Sequence, residues 1–404
     1  MKRQIWMAVG VIVTGMMLAG ASVDPGLPVG YWDNPQAKEV IMPHDWSELE
    51  TDLRPESCAQ CHSEQFDSWK KSLHAKAYSP GLVGQFPGMG HEEANSCLQC
   101  HAPLKEQLYT SPEAMQRSVS LRLKHEEGFS KDADMDAPAL PLTHSGVSCA
   151  VCHVRGMQRF GPPPKNSGAI GKVKGPVHGG FTATKAFESS QFCASCHQFP
   201  QSMAINGKPL ENTVTEWKKS SFEKKGVTCQ QCHMPDRKHE FRGIHDPEMV
   251  AKGLRFKLVQ DKKSAALTMT SIWIGHAFPT YVTPKVIVLA DALDGRGISL
   301  RQWQWEIIRE IEYDNGWQEK RDTRLMPGES REFMVSKIPS RTTSIRYRVL
   351  VEPDHFYKGT YSDLLSREMT PEARAHIQKA GKLAAANDYV LFEQSLSRSS
   401  SMFQ

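Results

Sequence analysis

The sequence predicts an α+β protein of several domains: a mostly helical and loop-rich domain, then a small β-sandwich, then a C-terminal helical tail. All ten cysteines lie between residues 58 and 232, whereas alternating apolar and polar residues begin only near residue 254. The 404 residues also exceed what one hydrophobic core usually supports. We expect a signal peptide at 1–21, a cysteine-rich domain at 22–250, a β-sandwich at 251–362 and a helical tail at 363–404.

The N-terminus has the pattern of a cleavable signal peptide. Lys2 and Arg3 precede an apolar run over residues 5–18, and Ala19-Gly20-Ala21 supplies the small residues that a signal peptidase reads. An uncleaved anchor is the alternative, but the run is shorter than the ~20 apolar residues of a membrane-spanning helix. We expect cleavage after Ala21, no integral membrane span afterwards, and a periplasmic or extracellular protein.

Every cysteine belongs to a Cys-x-x-Cys pair that is followed at once by histidine. A disulfide framework, a zinc ribbon or a thioredoxin-like pair does not need that histidine. Covalent haem attachment needs two thiols for the vinyl groups and an adjacent imidazole for the iron. The sequence therefore predicts five haem c groups in residues 22–250, at site 1 (Cys58, Cys61, His62), site 2 (Cys97, Cys100, His101), site 3 (Cys149, Cys152, His153), site 4 (Cys193, Cys196, His197) and site 5 (Cys229, Cys232, His233).

The spacing of the sites predicts an array of closely packed haems. Residues 58–233 provide only about 35 residues per haem, too few for a separate protein core around each. The macrocycles must then pack against one another and form much of the interior. Such packing would let electrons pass from iron to iron.

Charge argues against nucleic acid as a partner. The 49 basic and 45 acidic residues give a formal charge of +4, which falls to +2 without Lys2 and Arg3. Ten propionates and five ferric cores would bring the total to about −3. Three lysine pairs stand out: Lys70/Lys71, Lys218/Lys219 and Lys224/Lys225. We expect them to form a solvated face or to pair with haem propionates, and a docking patch for an acidic redox partner is the alternative.

An internal repeat relates two halves of the cysteine-rich domain. The segment Trp69-Lys70-Lys71-Ser72-Leu73-His74 matches 217–222, and Gly146-Val147-Ser148-Cys149 matches 226–229. Site 2 is inserted only in the first half. Phe222 stands where the first half has His74, so His74 has a role that the second half lacks, and binding an iron is the natural candidate.

Eleven histidines outside the motifs compete for the five remaining axial positions. His178 lies in a glycine-rich loop before site 4, and two further candidates follow site 5. For each candidate an exposed or propionate-bonded histidine is the alternative, and ligation by Met89, Met203 or Met234 stays open. The first choices are His74, His178, His239, His245 and His276, and the runners-up are His91, His125 and His144.

Several of these segments resemble a known family. The Trp-x-x-Ser-x-His segment, residues 192–198 and residues 226–235 look like multihaem cytochromes c related to the tetrahaem electron acceptor of hydroxylamine oxidoreductase. That superfamily includes pentahaem nitrite reductase and hydroxylamine oxidoreductase itself. Over roughly residues 55–250 the resemblance implies a mostly helical fold, haems in stacked and perpendicular pairs, and bis-histidine ligation.

The chain departs from the enzymes of that superfamily. All five motifs end in histidine, whereas the catalytic haem of pentahaem nitrite reductase usually has lysine in that position. Hydroxylamine oxidoreductase carries more haems and a tyrosine cross-link that this sequence does not identify.

The last third of the chain has the pattern of a β domain. Alternation over 254–258 and 345–351 predicts strands, and Asp294-Gly295, Asn315-Gly316 and Pro327-Gly328 predict turns. The segment 275–280 resembles a Gly-His-x-x-Pro-Thr loop of β domains attached to other multihaem cytochromes. That resemblance implies that His276 ligates a haem across the domain boundary, with a structural turn as the alternative. Thr370-Pro371-Glu372 predicts a helix start, and the end from Ser395 is expected to fray.

Two functions from different classes follow. The first is a non-enzymatic electron carrier, mostly bis-histidine, which we favour because histidine is plentiful and every motif fits the carrier pattern. The second is an oxidoreductase acting on a small nitrogen or sulfur compound at one open-coordinate haem. Expected partners are redox proteins, with another cytochrome or a quinol oxidase as candidates, and a homo-oligomer or filament is left open.

Overall fold

A computed structural model describes residues 24, 26–33, 35–38, 46–127, 141–261 and 263–397, without the side chains of 125–127. The expected signal peptide lies outside the described residues. None of the helices in these ranges is long and apolar enough to cross a membrane.

The cysteine-rich domain is built from short helices, two small β-structures and loops. The helices run α1 Glu48–Thr51, α2 Pro55–Ala59, α3 Ser63–Trp69, α4 Pro80–Val83, α5 His91–His101, α6 Pro112–Glu127, α7 Cys149–His153, α8 Ala194–His197, α9 Thr213–Lys218, α10 Ser221–Lys224, α11 Cys229–His233 and α12 Pro247–Gly253. The strands are β1 Val154–Arg155, β2 Gln158–Gly161, β3 Gly171–Val173, β4 Phe181–Ala183, β5 Ala204–Ile205 and β6 Lys208–Pro209. Short 3-10 helices occupy Phe86–Gly88, Lys105–Gln107, Leu142–Ser145, Lys185–Glu188, Ser190–Cys193, Gln201–Met203 and Pro235–Arg237.

This domain distributes its buried apolar side chains over three small clusters, centred on Tyr78 with Phe86, on Leu104 with Val151, and on Tyr31 with Phe160. Small separate clusters are expected where cofactors, rather than side chains, provide much of the interior. The clusters thus agree with the close spacing of the five motifs.

The predicted α+β class is confirmed by the C-terminal part of the chain. Its strands are β7 Leu254–Gln260, β8 Ala265–Ser271, β9 Lys285–Leu293, β10 Ser299–Ile307, β11 Arg309–Tyr313, β12 Trp317–Asp322, β13 Ser330–Val335, β14 Ser344–Glu352 and β15 Tyr389–Ser397. One antiparallel sheet has the order β10-β9-β14-β15 and a second has β13-β8-β7. Alternate residues of β14, from Ile345 to Val351, are buried between the sheets, and the Tyr347 hydroxyl donates to the Ala265 and Phe333 carbonyls of the second sheet.

The C-terminal tail differs from the prediction in one respect. Helices α13 (His355–Leu365) and α14 (Pro371–Ala386) are present, and Thr370 caps α14 as expected by accepting from the Ala373 amide. The chain then returns as β15, which pairs along the whole of β14 instead of remaining helical. Since β15 adds an edge strand to the sandwich, the tail is part of the β domain.

Two buried arginines join the β domain to the cysteine-rich domain. Arg309 donates to the Ile205, Lys208 and Pro209 carbonyls of the β5–β6 hairpin. Arg324 bonds to Glu216 on α9 at 3.0 Å, and both side chains are almost completely buried. Because a buried charge is costly unless it is paired, these contacts fix the orientation of the two domains.

Candidate functional site

Each Cys-x-x-Cys-His motif lies on or at the end of a short helix. A helix brings residues i, i+3 and i+4 to one face, so the two thiols and the imidazole point to the same side. The helices concerned are α2 with the turn after it, α5, α7, α8 and α11. This local geometry is the one that a haem bonded through both vinyl groups and its iron requires.

The described residues give no support to a disulfide framework or a zinc site at the cysteines. All ten cysteines are free thiols, and none is joined in a disulfide. In the same part of the chain no group of three or more histidine, cysteine or acidic side chains is placed to hold a bare metal ion. The donor set at each motif, two thiols and one imidazole, therefore fits a covalently attached haem better than zinc.

Most motif imidazoles are anchored through Nδ1, which leaves Nε2 for an iron. The Nδ1 atom of His101 bonds to the Ala77 carbonyl, and those of sites 3 and 5 bond to other backbone carbonyls. A fixed Nδ1 proton sets the tautomer and orientation of a metal-binding imidazole. At site 4 the partner differs, since Nδ1 of His197 bonds to the Tyr281 hydroxyl at 2.7 Å.

Three of the expected second ligands carry the same anchor. Nδ1 of His178 bonds to the Gly180 carbonyl, that of His239 to the Arg237 carbonyl, and that of His276 to the Ala277 carbonyl, all at 2.9 to 3.0 Å. The Nε2 atom of each of these histidines is thus left to bind a metal. The anchors are local, because each carbonyl lies within two residues of its histidine.

Three pairs of histidines face each other at one characteristic separation. The ring centroids lie 6.1 Å apart for His74 and His197, 6.1 Å for His153 and His239, and 6.3 Å for His233 and His276. A metal–imidazole bond of about 2.0–2.1 Å, with about 1.1 Å from nitrogen to ring centre, gives about 6.3 Å for two imidazoles on one metal. The separations therefore fit an iron held between each pair.

Site 1 has His178 as its neighbour. Burial lowers the pKa of His62, and the proximity of His178 lowers that pKa further. The backbone amide of His178 donates to Glu50 at 2.6 Å, and the flanking Gly179 and Gly180 have positive φ angles. The glycine-rich loop thus brings an imidazole toward site 1.

His245 lies against the β domain. Its Nε2 bonds to the Asp354 carboxylate at 3.1 Å, so the nitrogen that would bind iron faces an acid on the β domain and not a motif histidine. Among the runners-up, His144 is buried, stacks on Tyr78 and bonds to Ser118 through Nε2. The side chain of His125 lies outside the described residues. Contacts in the described ranges show no second histidine opposite His101.

The facing imidazoles are neutral at physiological pH. Burial lowers the pKa of His74 to about 3, and the pKa values of His153, His197 and His276 to about 4. Neighbouring histidines contribute a further, smaller lowering in each case. An imidazole must be neutral to bind a metal, so these sites are ready for one without releasing a proton.

The five motifs form one contiguous set. Cysteine side chains of different sites lie next to each other, Cys58 beside Cys149, Cys100 beside Cys196 and Cys193 beside Cys229, so site 1 adjoins site 3, site 2 adjoins site 4, and site 4 adjoins site 5. Cys152 of site 3 also lies near both cysteines of site 4. Site 4 is therefore the junction at which sites 2, 3 and 5 meet.

The repeat seen in the sequence has equivalent contacts in both halves. The Trp69 indole donates to the Val147 carbonyl at 2.8 Å, and the Trp217 indole donates to the Val227 carbonyl at 2.9 Å. Each tryptophan thus holds the Gly-Val segment that leads into its haem motif. The amides of these valines bond in the same way to the carbonyls at positions 74 and 222.

Sequence reasoning missed Tyr281 and Glu211. Tyr281 lies five residues after His276 in the same loop, so its proximity to site 4 follows from that of His276 to site 5. Its hydroxyl also lies beside Glu211, whose pKa is raised to about 8, mainly by burial. A tyrosine and a glutamate far apart in the sequence give no signal of this contact.

Comparison with known proteins finds a matching family model and a similar solved structure. Residues 54–246 match the family model described as outer membrane cytochrome MtrC/MtrF-like, domains II/IV. The solved structure of a penta-heme cytochrome c552 from Thermochromatium tepidum is similar, with a TM-score of 0.57 and 19% sequence identity. The match covers 87% of this chain and 100% of that chain, and at this identity it shows a shared fold. A search of curated proteins found no match.

Proposed function

Because the chain is a multihaem c-type cytochrome, we propose that it carries electrons through five covalently attached haems and performs no substrate chemistry of its own. The contiguity of the five motifs carries this proposal, since each touches at least one other through its thiols. A bound haem supplies a one-electron ferric–ferrous couple. The protein's part is to attach, ligate and space the haems.

We assign two histidines to the iron of four sites, at three of them from facing imidazoles and at site 1 from the proximity of His178. His62 would share an iron with His178 at site 1, and the other three pairs are those at the characteristic separation: His153 with His239, His197 with His74, and His233 with His276. Anchored Nδ1 atoms in most of these imidazoles support this assignment. Two strong ligands leave an iron without an open position, as an electron carrier requires.

The pattern of contacts supports a branched route. Site 1 reaches site 4 through site 3, whereas sites 2 and 5 each reach it directly. Electrons entering at any end would then pass through site 4. Residues of both domains line this route, because His276 belongs to the β domain.

An enzyme remains the second candidate, and one observation favours it. Site 2 is the motif for which contacts in the described residues show no facing histidine, although His101 is anchored like the others. An open iron there would suit a small nitrogen or sulfur compound. His91 and His125 are the alternatives as second ligand, from their positions before later motifs.

Three measurements on the purified protein test the proposal. Pyridine haemochrome analysis should give five haems per chain, and low-temperature EPR of the oxidised protein should show only low-spin iron. Redox titration should resolve five one-electron steps. A stoichiometric high-spin signal that shifts with cyanide or nitrite would favour the enzyme, and a haem count of four or fewer would contradict the assignment.

We also propose that the mature chain acts in the periplasm or outside the cell and exchanges electrons with another redox protein. The signal-like N-terminus and the match to a family described as outer membrane cytochromes support this. Another cytochrome or a quinol oxidase would suit as partner, with a homo-oligomer or filament as a further arrangement. N-terminal sequencing of the secreted protein should begin at Ser22, whereas an intact Met1 would contradict the cleavage.

A further inference from the structure

Site 4 is anchored differently from the other motif sites with a defined Nδ1 contact. Nδ1 of His197 bonds to the Tyr281 hydroxyl at 2.7 Å, and the two rings are nearly parallel, with an angle of 15°. At sites 2, 3 and 5 the same nitrogen bonds to a backbone carbonyl. Tyr281 is a residue of the β domain, so one domain reaches a ligand held by the other.

The Tyr281 hydroxyl is the acceptor in this contact. If Nε2 of His197 binds iron, Nδ1 must carry the proton and donate to the hydroxyl. The side chains of Thr213 and Glu211 lie beside the same hydroxyl. Because the acceptor at site 4 is a side chain and not a backbone carbonyl, Tyr281 fixes the Nδ1 proton and the orientation of the imidazole there, and a substitution can remove that acceptor.

We infer that Tyr281 is a positioning residue that lowers the reduction potential of the haem at site 4 selectively. An acceptor at Nδ1 gives the imidazole more anionic character, raises its basicity as a ligand and stabilises ferric iron. This inference rests on the proposed electron-carrier function. Because sites 2, 3 and 5 meet at site 4, the potential there controls the branch point of the route.

Tyr281→Phe tests the inference because it keeps the ring and removes only the hydroxyl. The reduction potential of one haem should rise by about 59 mV, which for a one-electron couple is a tenfold larger equilibrium constant for reduction. One low-spin EPR signal should shift while the haem count stays at five. Tyr281→Met, which also lacks the hydroxyl, should move the same haem in the same direction, and it serves as second variant if Tyr281→Phe folds poorly.

Two further variants make the test specific. His74→Ala identifies the EPR signal of site 4, because that signal should become high-spin. Tyr389→Phe is the matched control, since its hydroxyl bonds to the Ile244 carbonyl and contacts no motif histidine. Unchanged potentials in both Tyr281→Phe and Tyr281→Met, or an equal shift of all five haems, would overturn the inference. Failure of the electron-carrier proposal is separate, because it would show in the haem count and spin states of the unaltered protein.

Discussion

Replacing His276 by alanine should turn one haem, that of site 5, from low-spin to high-spin. The imidazole lies 6.3 Å from that of His233 with the rings 12° apart, and its Nδ1 atom is fixed by the Ala277 carbonyl. Alanine offers no donor, and Phe222, which packs beside Gly275, cannot replace it. The high-spin signal should increase by about one fifth of the haem iron, since the substitution removes a ligand from no other site.

Low-temperature EPR of the oxidised variant, integrated against the pyridine haemochrome count, measures that fraction. His245→Ala is the matched control, because its Nε2 faces Asp354 and its loss should leave every haem low-spin. A His276→Ala protein with five low-spin haems would refute the ligand assignment. High-spin iron in the His245→Ala protein would refute the reasoning that separates the two histidines.

Three further predictions concern stability. Arg324→Met should lower the free energy of unfolding by about 3–5 kcal/mol, because Glu216 then stays buried without its partner, and denaturant titration measures this. Trp69→Phe and Trp217→Phe should each cost about 1 kcal/mol, and a large difference between them would argue against structural equivalence. The pKa of Glu211 is about 8 in the folded protein against an ordinary value of 4.5, so the free energy of unfolding should fall as pH rises from about 4.5 to 8. Melting curves of Glu211→Gln at several pH values should lack this pH dependence.

The regular features of this fold were predictable because their signals are local. The alternation at 345–351 became β14, the glycine-containing turns at 294–295 and 315–316 joined successive strands, and Thr370 capped α14. The repeat also had a physical counterpart, because the same tryptophan–carbonyl bond recurs in both halves. Each of these features depends on residues close in sequence or on a motif that occurs twice.

The remaining features depend on contacts between distant segments. His245 and His239 both follow site 5 closely, yet only His239 faces a motif histidine, because Asp354 holds His245 at the β domain. Likewise β15 was missed because its pairing with β14 comes from the return of the chain after α14. Proximity in sequence cannot rank histidines whose positions are set by another domain.

A loop of the β domain lies among the motif sites of the cysteine-rich domain. In the repeat, His74 of the first half faces His197, a residue of the second half, whereas Phe222 in the equivalent position has no nitrogen to offer. The loop of the β domain passes beside Phe222, since a Cβ atom on Gly275 would lie 3.5 Å from its ring. That loop then presents His276 to site 5 and Tyr281 to site 4. The histidine that the second half of the repeat lacks is thus offset by His276 of the β domain, which faces His233 and ties the geometry of two adjacent sites to how that domain docks.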